Sequence, residues 1–425
     1  MEVRRIGELG PADRAAFFDR DAGVDDVREP VREIVDRVRR EGDVALREYA
    51  REFDDVEVGN VDVTDRTERA YHQVDDAVRE AIETAAANVR AFHERQMPAD
   101  WRESFDGREL GRRYRPIERV GVYAPGGTAA YPSSVLMGVL PARVAGVEHV
   151  AVATPPAKPL PPATLAAAHV AGADAVYQVG GAQAIAALAH GTESVPAVQK
   201  VVGPGNRWVT AAKAEVRGDV EIDFLAGPSE LLVVCDETAD PALVAADMVA
   251  QAEHDPAASV VCVTDDADTA QAVAEACERQ AVARDRVDIV EQALEGDASG
   301  VLLARSMSEA VTFAEAYAAE HLSIVAADDE ALLDRIDSAG SVFLGPYSPV
   351  AAGDYAAGPN HVLPTGGLAK VAGGLAVDDF LRSSTVQRLD REALAALRET
   401  VTTLARAEGL EAHAASVERR FDDGD

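Results

Sequence analysis

The stretch that decides the fold is Val-Gly-Val-Tyr-Ala-Pro-Gly-Gly at residues 120–127, a short β-rich run that ends in a Gly/Pro turn. Three further runs at 150–153, 175–179 and 201–202 also end at Gly or Pro, before alanine-rich segments. Strand, tight turn, helix and strand in this order are typical of βαβ units, whose strands form a parallel sheet. We therefore expect ligands to bind beyond the carboxyl ends of these strands.

A second set of β-rich runs at 231–234, 260–263 and 323–325, with helices between them, predicts a second α/β unit. Apolar residues recur at helical spacing in 31–53 and 78–92, and the chain from about Val377 is also expected to be helical, with a helix end at Gly409. The predicted fold is α/β, with two incomplete, parallel-sheet, Rossmann-like units, a helical N-terminal region and a helical C-terminal tail. We expect a first domain from 1–119 with 229–375, a nucleotide-side domain at 120–228 and a tail at 376–425.

The composition indicates a folded, acidic protein. The 425 residues are 47% hydrophobic, which is enough for more than one core. The N-terminus has no apolar signal region and no segment reads as a membrane span, so a cytoplasmic location is expected. A formal charge of -33 argues against binding to nucleic acid or an anionic membrane. Arginine carries nearly all the positive charge beside four lysines, and we interpret this balance as adaptation to high salt.

Three cysteines, Cys235, Cys262 and Cys277, lie in apolar or helical surroundings without a C-x-x-C pair. This pattern argues against a disulfide framework and against a thiolate zinc site. Cys235 stands beside Asp236 at the end of an apolar strand, with no base nearby in the sequence. We expect all three to be ordinary buried residues and not nucleophiles.

Glycine-rich turns at Gly126-Gly127, Gly180-Gly181 and Gly203-Pro-Gly205 would let a phosphate approach backbone N–H groups at helix starts. The usual dinucleotide fingerprint G-x-G-x-x-G is absent, so composition alone does not identify NAD. Each turn by itself is better explained as a strand-to-helix connection that needs positive φ. Several turns in one small unit favour a nucleotide or a phosphorylated ligand.

Histidines and carboxylates in the second half give the stronger chemical signal. Gln251 and His254 are one turn apart near the end of a helix that Asp240 can cap and Pro241 can start, so both can face one metal. Such a pair alone is more often a solvated helix face. A second helix, with a capping box at 306–309, is expected to end at Glu320-His321-Leu322, where its dipole would raise the basicity of His321.

Two further pairs lie in polar or glycine-interrupted segments. Asp354 and His361 belong to a long stretch, 352–367, with the composition of a loop, and loops commonly hold binding groups. Glu408 and His413 flank Gly409 in a segment that could equally be an ordinary solvated tail. The other five histidines are expected to lie on helix surfaces, at strand edges or in the core.

At these residues the sequence resembles the histidinol dehydrogenase family, and the match runs in order over most of the chain. The matching segments are Gly-Asp-Val-Ala-Leu at 42–46, 120–127, Gly-Gly-Ala-Gln-Ala-Ile-Ala-Ala at 180–187, Gly-Pro-Gly-Asn-Arg-Trp-Val at 203–209, Ala-Gly-Pro-Ser-Glu at 226–230, Gln-Ala-Glu-His at 251–254, Glu-His-Leu at 320–322 and the loop at 354–367. One such motif would be weak, whereas eight in order are specific. The sequence departs from the family at Ala319, where the family often has proline, and we expect only a modest effect on local rigidity.

The resemblance implies a homodimer with one zinc ion per subunit. Its ligands would be Gln251, His254 and Asp354, with His413 reaching into the partner's site so that the C-terminal tail completes it. Imidazole, carboxylate and amide donors suit zinc, and open positions would accept the substrate's imidazole and amino nitrogens. The resemblance further implies NAD contacts and substrate contacts: Tyr123, Gln183 and Asn206 for NAD; Ser229, His361 and Glu408, beside the zinc ligands and His321, for L-histidinol.

The implied reaction is the last step of histidine biosynthesis, a four-electron oxidation of L-histidinol through the aldehyde to L-histidine with two NAD. His321 would take the alcohol proton as hydride leaves, Glu320 would activate the water that adds to the aldehyde, and His321 would act again in the second oxidation.

Three alternatives remain open at the level of sequence. A zinc hydrolase using Glu320 would not need a nucleotide. A catalytically silent, metal-stabilised binding protein would be expected to lack Glu320 or His321, and both are present. A relative that acts on another amino alcohol is harder to distinguish, because one substrate contact can redirect specificity.

Overall fold

The computed structural model describes residues 1–20, 22–126 and 130–422. Gly127, the second glycine of the first Gly-rich turn, therefore lies outside the described residues. The strands are β1 Val3–Arg5, β2 Trp101–Phe105, β3 Arg108–Pro116, β4 Arg119–Tyr123, β5 His149–Thr154, β6 Ala175–Gln178, β7 Lys200–Val202, β8 Glu221–Ile222, β9 Glu230–Cys235, β10 Ser259–Thr264, β11 Gly300–Leu303, β12 His321–Val325, β13 Ser341–Leu344 and β14 Leu381–Leu389.

The α-helices are α1 Pro11–Phe18, α2 Val24–Glu41, α3 Asp43–Phe53, α4 Thr67–Gln73, α5 Asp76–Glu94, α6 Pro132–Ala145, α7 Pro162–Ala171, α8 Gly181–His190, α9 Arg207–Val216, α10 Pro241–Ala252, α11 Ala267–Ala281, α12 Val287–Glu295, α13 Met307–Tyr317, α14 Asp329–Leu333, α15 Val350–Tyr355, α16 Arg391–Ala407 and α17 Glu411–Glu418. Short 3-10 helices cover Ile6–Glu8, Thr64–Arg66, Leu368–Lys370 and Val377–Phe380. Within the described ranges, no helix has the length and apolar character needed to cross a bilayer.

Two parallel sheets form the larger of two compact units, which comprises Met1–Gln96 and Ile117–Phe380. The first sheet has five strands in the order β6-β5-β4-β7-β8, and the second has six in the order β1-β11-β10-β9-β12-β13. All strand pairs in both sheets are parallel. Two incomplete Rossmann-like units are therefore confirmed.

The N-terminal helices cover part of the five-stranded sheet. Val31 and Val38 of α2 are fully buried in one core with Ile185 and Leu188 of α8. The helical region expected at 31–53 is two helices, because the chain turns at Gly42 with φ of 54°. A Cβ at Gly42 would also meet the carboxylate of Glu193, so the break needs glycine.

The second unit comprises Met97–Pro116 and Leu381–Asp425 and is built around an antiparallel sheet in the order β14-β3-β2. Arg382 of β14 pairs with Arg115 of β3, and Trp101 of β2 pairs with Arg112 of β3. Helices at both chain ends are confirmed, but the extended segments at 101–116 and 381–389 correct the expectation that these stretches are helical. Their alternating arginine-rich pattern gave no helical or strand signal, because it lacks an apolar face.

The turn at Gly203 connects β7 to the helix α9, and its backbone passes close to the backbone of the neighbouring strand β4. Gly203 has φ of 115°, and a Cβ there would collide with the backbone carbonyl of Tyr123 on the neighbouring strand. Neither group can move without displacing backbone, so only glycine fits this position.

We predict that Gly203→Ala lowers the free energy of unfolding by about 3 kcal/mol or more, because the substitution adds both strain and a backbone collision. Urea unfolding in molar potassium chloride measures the change. Gly218→Ala is the matched control, since a Cβ at Gly218 meets nothing within 4 Å and its φ is not positive. Equal losses in the two variants would contradict the prediction.

Candidate active site

A cleft of about 280 Å³ opens where the two parallel sheets approach each other within the larger unit. Its lining combines backbone-rich turns from the first sheet with titratable side chains from the second. The lining residues include Pro125, Tyr131, Ser134, Pro204, Gly205, Asn206, Ser229, Gln251, His254, Glu320, His321, Asp354, Tyr355, His361 and Thr365. Eight side chains that the sequence singled out thus meet here: Asn206, Ser229, Gln251, His254, Glu320, His321, Asp354 and His361.

The two sheets present opposite ends to the cleft. Pro125 follows β4 and Pro204 follows β7, and the direction of strand order reverses between these two strands. The first sheet therefore faces the cleft with the carboxyl ends of its strands, which is where ligands are expected at a parallel sheet. In the second sheet, by contrast, Ser229 precedes β9 and His321 is the first residue of β12. The second sheet therefore faces the cleft with the amino ends of these two strands.

His321 begins a strand and does not lie at a helix end, which corrects the predicted helix from 306 to 322. The helix α13 ends at Tyr317, and Ala318 turns the chain with φ of 51°. Ser306 caps the helix by accepting from the N–H of Glu309. No glycine marks the end of α13, so the sequence lacked the usual stop signal. The basicity of His321 therefore does not come from a helix dipole.

The imidazole of His321 is held in one orientation. Its Nδ1 lies 2.9 Å from the backbone oxygen of Glu230, and because a carbonyl can only accept, Nδ1 carries the hydrogen. Nε2 is buried and lies 3.3 Å from Asp354 Oδ1. Burial lowers the pKa of His321, but the carboxylates of Glu320 and Asp354 outweigh it and raise the pKa well above the usual range.

Asp354 lies in the short helix α15, and His361 follows it in an irregular segment. His361 Nδ1 donates to the backbone oxygen of Asp354 over 2.7 Å, and Ser134 Oγ lies 3.3 Å from the Nε2 of His361. Burial raises the pKa of Asp354, but the nearby His321, His361 and His254 hold it below the usual range. Asp354 is therefore an anionic centre surrounded by three imidazoles.

Gln251 lies in the last turn of α10 and His254 follows two residues after the helix ends at Ala252, with Asp240 capping that helix and Pro241 starting it as predicted. Gln251 is 2% exposed, and one end of its side-chain amide is buried without a hydrogen-bond partner. His254 Nδ1 lies 3.3 Å from the backbone oxygen of Gln251, which leaves its Nε2 for a ligand. The unsatisfied atom of Gln251 is the amide nitrogen, which cannot bind a cation, so this residue would ligate through its amide oxygen. An amide oxygen, an imidazole nitrogen and an anionic carboxylate in one cleft form a donor set that suits a divalent cation.

No group of three His, Cys, Asp or Glu side chains in metal-binding arrangement occurs within 1–20, 22–126 and 130–422. Three of the expected zinc ligands lie in the larger unit. Only two of them, His254 and Asp354, belong to these four residue types, because the third is the amide of Gln251. The residues present therefore fit a metal whose fourth protein ligand comes from elsewhere.

Tyr123, Gln183 and Asn206 come from three different strand-to-helix turns of the first sheet. Tyr123 and Gln183 are 4% and 3% exposed, and both lie at Gly181, whose N–H donates to the hydroxyl of Tyr123 over 3.1 Å. Burial raises the pKa of Tyr123 to about 12, so the hydroxyl stays neutral. The carbonyl oxygen of Asn206 caps α9 by accepting from two backbone N–H groups, which leaves its amide nitrogen for a ligand.

A buried ion pair holds the turn that carries Asn206. Lys213 Nζ donates to the backbone oxygen of Gly203 over 2.5 Å and to Asp223 over 2.6 Å. The other oxygen of Asp223 accepts from the N–H of Gly203 at 2.8 Å. Both side chains are at most 3% exposed. The turn is therefore fixed through its backbone before any ligand binds.

The remaining predicted residues lie outside the cleft. Glu408 and His413 belong to the second unit, where Glu408 follows α16, His413 lies in α17 and both side chains are exposed. The helix end predicted at Gly409 is confirmed, with φ of 76°.

Sequence reasoning missed several polar residues that shape the site. Ser134 at the start of α6 contacts His361, and Thr365 accepts the N–H of Gly227 over 2.6 Å. Glu230 contacts both Glu320 and His321. Ser134 follows the first Gly-rich turn and could have been found from its place at a helix start, whereas Glu230 gave no signal beyond its position in a quoted motif.

Comparisons with known proteins decide the family. A family model described as histidinol dehydrogenase matches residues 19–421. The chain belongs to the histidinol dehydrogenase family. A histidinol dehydrogenase from Natronomonas pharaonis is 79% identical over 99% of this chain and all of the relative, and one from Halobacterium salinarum is 74% identical over the full length of both. Relatives from salt-loving organisms fit the acidic composition.

A solved structure of histidinol dehydrogenase from Elizabethkingia anophelis matches with a TM-score of 0.92 at 35% identity, covering 99% of this chain and 97% of that one. An acetylating aldehyde dehydrogenase from Geobacillus thermoglucosidasius matches with a TM-score of 0.51 at 14% identity, covering 90% and 99%. The first comparison confirms the resemblance to the histidinol dehydrogenase family, and the second shows only a shared fold.

The three cysteines of this histidinol dehydrogenase family member lie in the core of the six-stranded sheet. All are free and fully buried, and Cys235 and Cys262 are neighbours with Sγ atoms 3.6 Å apart. The hydrogen bond with Cys235 and burial raise the pKa of Cys262, and burial raises the pKa of Cys277 to about 12. Cys235 is the last residue of β9, at the opposite end of that strand from Glu230.

We predict that the folded protein does not react with iodoacetamide at pH 8 and keeps its activity, because thiolates are not accessible. Mass spectrometry counts the labels. Unfolded protein serves as the control and is expected to take up three labels. Inactivation together with labelling of Cys235 would show that a thiol takes part in the reaction.

Proposed function

We propose that this chain oxidises L-histidinol through the aldehyde to L-histidine with two NAD, as the last step of histidine biosynthesis in the cytoplasm. The observation that carries the proposal is the imidazole of His321, whose Nδ1 is fixed on the backbone oxygen of Glu230 and whose buried Nε2 lies in the cleft beside Glu320 and 3.3 Å from Asp354 Oδ1. Family membership supports the substrate and the cofactor.

We propose one zinc ion per subunit, held by Gln251, His254 and Asp354 and by His413 of the partner subunit. The imidazole of His254, whose Nδ1 faces a backbone oxygen and whose Nε2 is left for a ligand, supports this ligand set together with the ionised Asp354 and the amide oxygen of Gln251 in the same cleft. Zinc bound there would orient the imidazole and amino nitrogens of the substrate and would offset the charge of Asp354, which lowers the pKa of His321 toward that of a base.

In the first oxidation His321 takes the alcohol proton through Nε2 as hydride leaves for NAD. The backbone oxygen of Glu230 accepts the hydrogen of Nδ1 and so stabilises the imidazolium that forms. Glu320 Oε2 lies 3.5 Å from the same Nδ1 and adds a second favourable charge. Ser229, His361 and Glu408 are the further residues that we assign to substrate contact.

In the second oxidation water must add to the aldehyde before another hydride can leave. Glu320 is 6% exposed and lines the cleft, and one of its oxygens accepts the N–H of Glu230 over 2.8 Å. Its other oxygen is the group that we assign to deprotonating water. As the water adds, the imidazolium of His321 returns its proton to the aldehyde oxygen, which completes the diol and restores the neutral base. His321 then takes a proton from a diol hydroxyl as the second hydride leaves for NAD, and the low exposure of both residues keeps the aldehyde from bulk solvent.

We assign the NAD to the first sheet, within the proposed nucleotide-side domain 120–228, with Tyr123, Gln183 and Asn206 as contacts. The start of α8 at Gly181 and the turn before α9 offer backbone N–H groups at helix N-termini, which suit a pyrophosphate. The catalytic pair comes from the other proposed domain, 1–119 with 229–375. The cofactor and the base would thus approach the substrate from opposite sheets.

We propose a homodimer in which the tail at 376–425 completes the partner's site. The second unit has 12 arginines and 13 acidic residues, so it is almost neutral, while the chain as a whole carries -33. It also exposes Trp101, Phe105, Leu404 and Leu410 by 40% or more. In a protein otherwise covered by carboxylates, a neutral surface with exposed apolar groups is typical of an interface.

We expect about two NADH per L-histidinol in an assay with limiting substrate, excess NAD, zinc and molar potassium chloride, because both oxidations occur before release. Absorbance at the NADH band gives the count, and a chelator is expected to abolish the reaction. One NADH per substrate would indicate a dehydrogenase that releases aldehyde, and none would favour hydrolysis or a silent scaffold.

We predict that the inactive variants His413→Ala and His321→Ala restore activity to each other when co-expressed. A mixed dimer pairs the intact catalytic pair of the first variant with the intact tail of the second, so one of its two sites is complete. Random mixing makes half of the dimers mixed, so activity should reach about a quarter of the wild-type value in the co-expressed mixture and about half of it in purified mixed dimers.

Mixed dimers purified by two different tags provide the measurement, and dimers of each single variant provide the control. If His413 acted within its own subunit, every site of a mixed dimer would carry one defect. Absence of any recovered activity in confirmed mixed dimers would therefore contradict the shared site.

A further inference from the structure

Glu230 is the most connected residue beneath the catalytic pair, although it does not touch the cleft. Its backbone oxygen accepts from His321 Nδ1, and its backbone N–H donates to Glu320 Oε2. Its carboxylate accepts the backbone N–H of Glu320 over 3.2 Å and that of Gly366 over 2.6 Å. Glu230 and Glu320 thus exchange two reciprocal hydrogen bonds, each from the backbone of one to the side chain of the other.

Arg20 forms a buried ion pair with the carboxylate of Glu230. Its Nη1 donates to Glu230 Oε2 over 2.8 Å, with side-chain exposures of 5% and 1%. Its Nη2 donates to the backbone oxygen of Tyr317, and its guanidinium lies 3.7 Å above the ring of Tyr317. Tyr317 is itself fixed by a bond to Ser259 Oγ over 2.7 Å. Arg20 therefore links the end of α13 to the first residue of β9.

We propose that the Arg20–Glu230 ion pair is a positioning element for the catalytic pair, which fixes Glu320 and sets the tautomer of His321. Neither Arg20 nor Glu230 is among the described residues that line the cleft, so both act through their neighbours. The inference rests on the proposed function of that cleft.

The physical argument starts from the cost of the pair. Two charges removed from water give little net stability, and well-packed apolar residues of similar volume are often as good. The carboxylate of Glu230 instead fixes the backbone N–H groups of two segments, the one that carries Glu320 and the loop at Gly366. Without that carboxylate the backbone of residue 320 is held less firmly to residue 230, so Glu320 and His321 can move relative to the N–H and the backbone oxygen of Glu230 that orient them. Misplacement of about 1 Å can cost a factor of about 100 in rate.

The register of the sheet makes this coupling direct. Residue 321 of β12 pairs with residue 231 of β9, so Glu230 and Glu320 stand side by side just before the first ladder positions. Burial raises the pKa of Glu230 to about 7, opposed by Arg20 and the N–H of Gly366, so its carboxylate is ionised at pH 9. Kinetics at pH 9 therefore test the charged pair.

The test compares Glu230→Gln with the double variant Arg20→Met/Glu230→Gln at pH 9 in molar potassium chloride. The single variant leaves Arg20 buried without its partner and should lose both thermal stability and rate. The double variant removes both charges, so its melting temperature should return to near the wild-type value. We expect its kcat to stay about 10- to 100-fold low, with the KM for L-histidinol and for NAD and the zinc content each within about threefold of wild type.

Asp43→Asn is the matched control, because Asp43 is a 4% exposed carboxylate that accepts from Thr192, Ser194 and Arg47 far from the cleft. It should lower stability without lowering kcat. A double variant with wild-type stability and wild-type kcat would overturn the proposal. If the double variant does not fold, Glu230→Asp replaces it: the shorter carboxylate keeps its charge but cannot hold Arg20, Glu320 and Gly366 together. Wild-type kcat in a folded Glu230→Asp would likewise overturn the proposal.

A measurement that needs no substrate separates this proposal from the assigned reaction. Nitrogen-15 NMR of histidine-labelled protein reports the tautomer of each imidazole, and comparison with His321→Asn identifies the signal. We expect the zinc-loaded wild type, at a pH where His321 is neutral, to show Nδ1–H only, and the double variant under the same conditions to show a mixture of tautomers. An unchanged tautomer together with unchanged kcat would overturn the positioning role, whereas failure of the wild type to oxidise L-histidinol would count only against the proposed function.

Discussion

The pairing of β9 with β12 is the contact on which the chemistry of this protein depends. Both strands begin at the cleft, and their parallel register places Glu230 beside Glu320 and brings His321 under the backbone of Glu230. A slip of one residue would turn His321 to the opposite face of the sheet, because side chains alternate along a strand. The hydrophobic ladder beyond, from Leu231 to Cys235, is fully buried and prevents such a slip. The stability of the sheet core therefore sets the position of the proposed catalytic base.

The three imidazoles of the cleft are oriented in the same way. His254, His321 and His361 each direct Nδ1 at a backbone oxygen, from Gln251, Glu230 and Asp354 respectively. A carbonyl orients the ring without adding charge, so each Nε2 is left to face a metal, a proton or a hydroxyl. Asp354 is the common anionic neighbour of all three, and its pKa falls below the usual range despite burial.

Most of the strands and helices could be predicted from local sequence patterns, but the residues at which they begin and end could not. The seven predicted strands of the two parallel sheets all occur, because buried parallel strands are continuous apolar runs with Gly or Pro at their ends. The helix predicted through Glu320 failed because Ala318 adopts a left-handed conformation that its sequence does not announce. Packing of Tyr317 against Arg20 compensates for that strain. The strands at 101–116 and 381–389 are paired with each other across 270 residues of sequence, and no local pattern reveals such a contact.

The site shows the same division between local and distant information. Gln251 and His254 could be paired from helical spacing alone, and the helix that carries them has the predicted cap. Glu230 could not be assigned a role, since its partners lie at Arg20, Glu320 and Gly366, which only the folded chain brings together. The resemblance supplied roles for Tyr123 and Gln183 that spacing did not, and the structure finds both at one buried glycine turn.

Charge is used in two separate ways in this molecule. Surface carboxylates repel one another over distances that molar salt screens to about 3 Å, so the acidic surface is tolerable in brine. The buried pairs Arg20–Glu230 and Lys213–Asp223 are out of reach of that screening, with side chains at most 5% exposed. Lys213 is one of four lysines in the chain, and it remains where a compact ammonium can donate to the backbone oxygen of Gly203 and to a carboxylate at once. The Lys213–Asp223 pair fixes the turn at Gly203, and the Arg20–Glu230 pair fixes the segment that carries Glu320. High salt that screens the surface charges therefore leaves the geometry of the cleft unchanged.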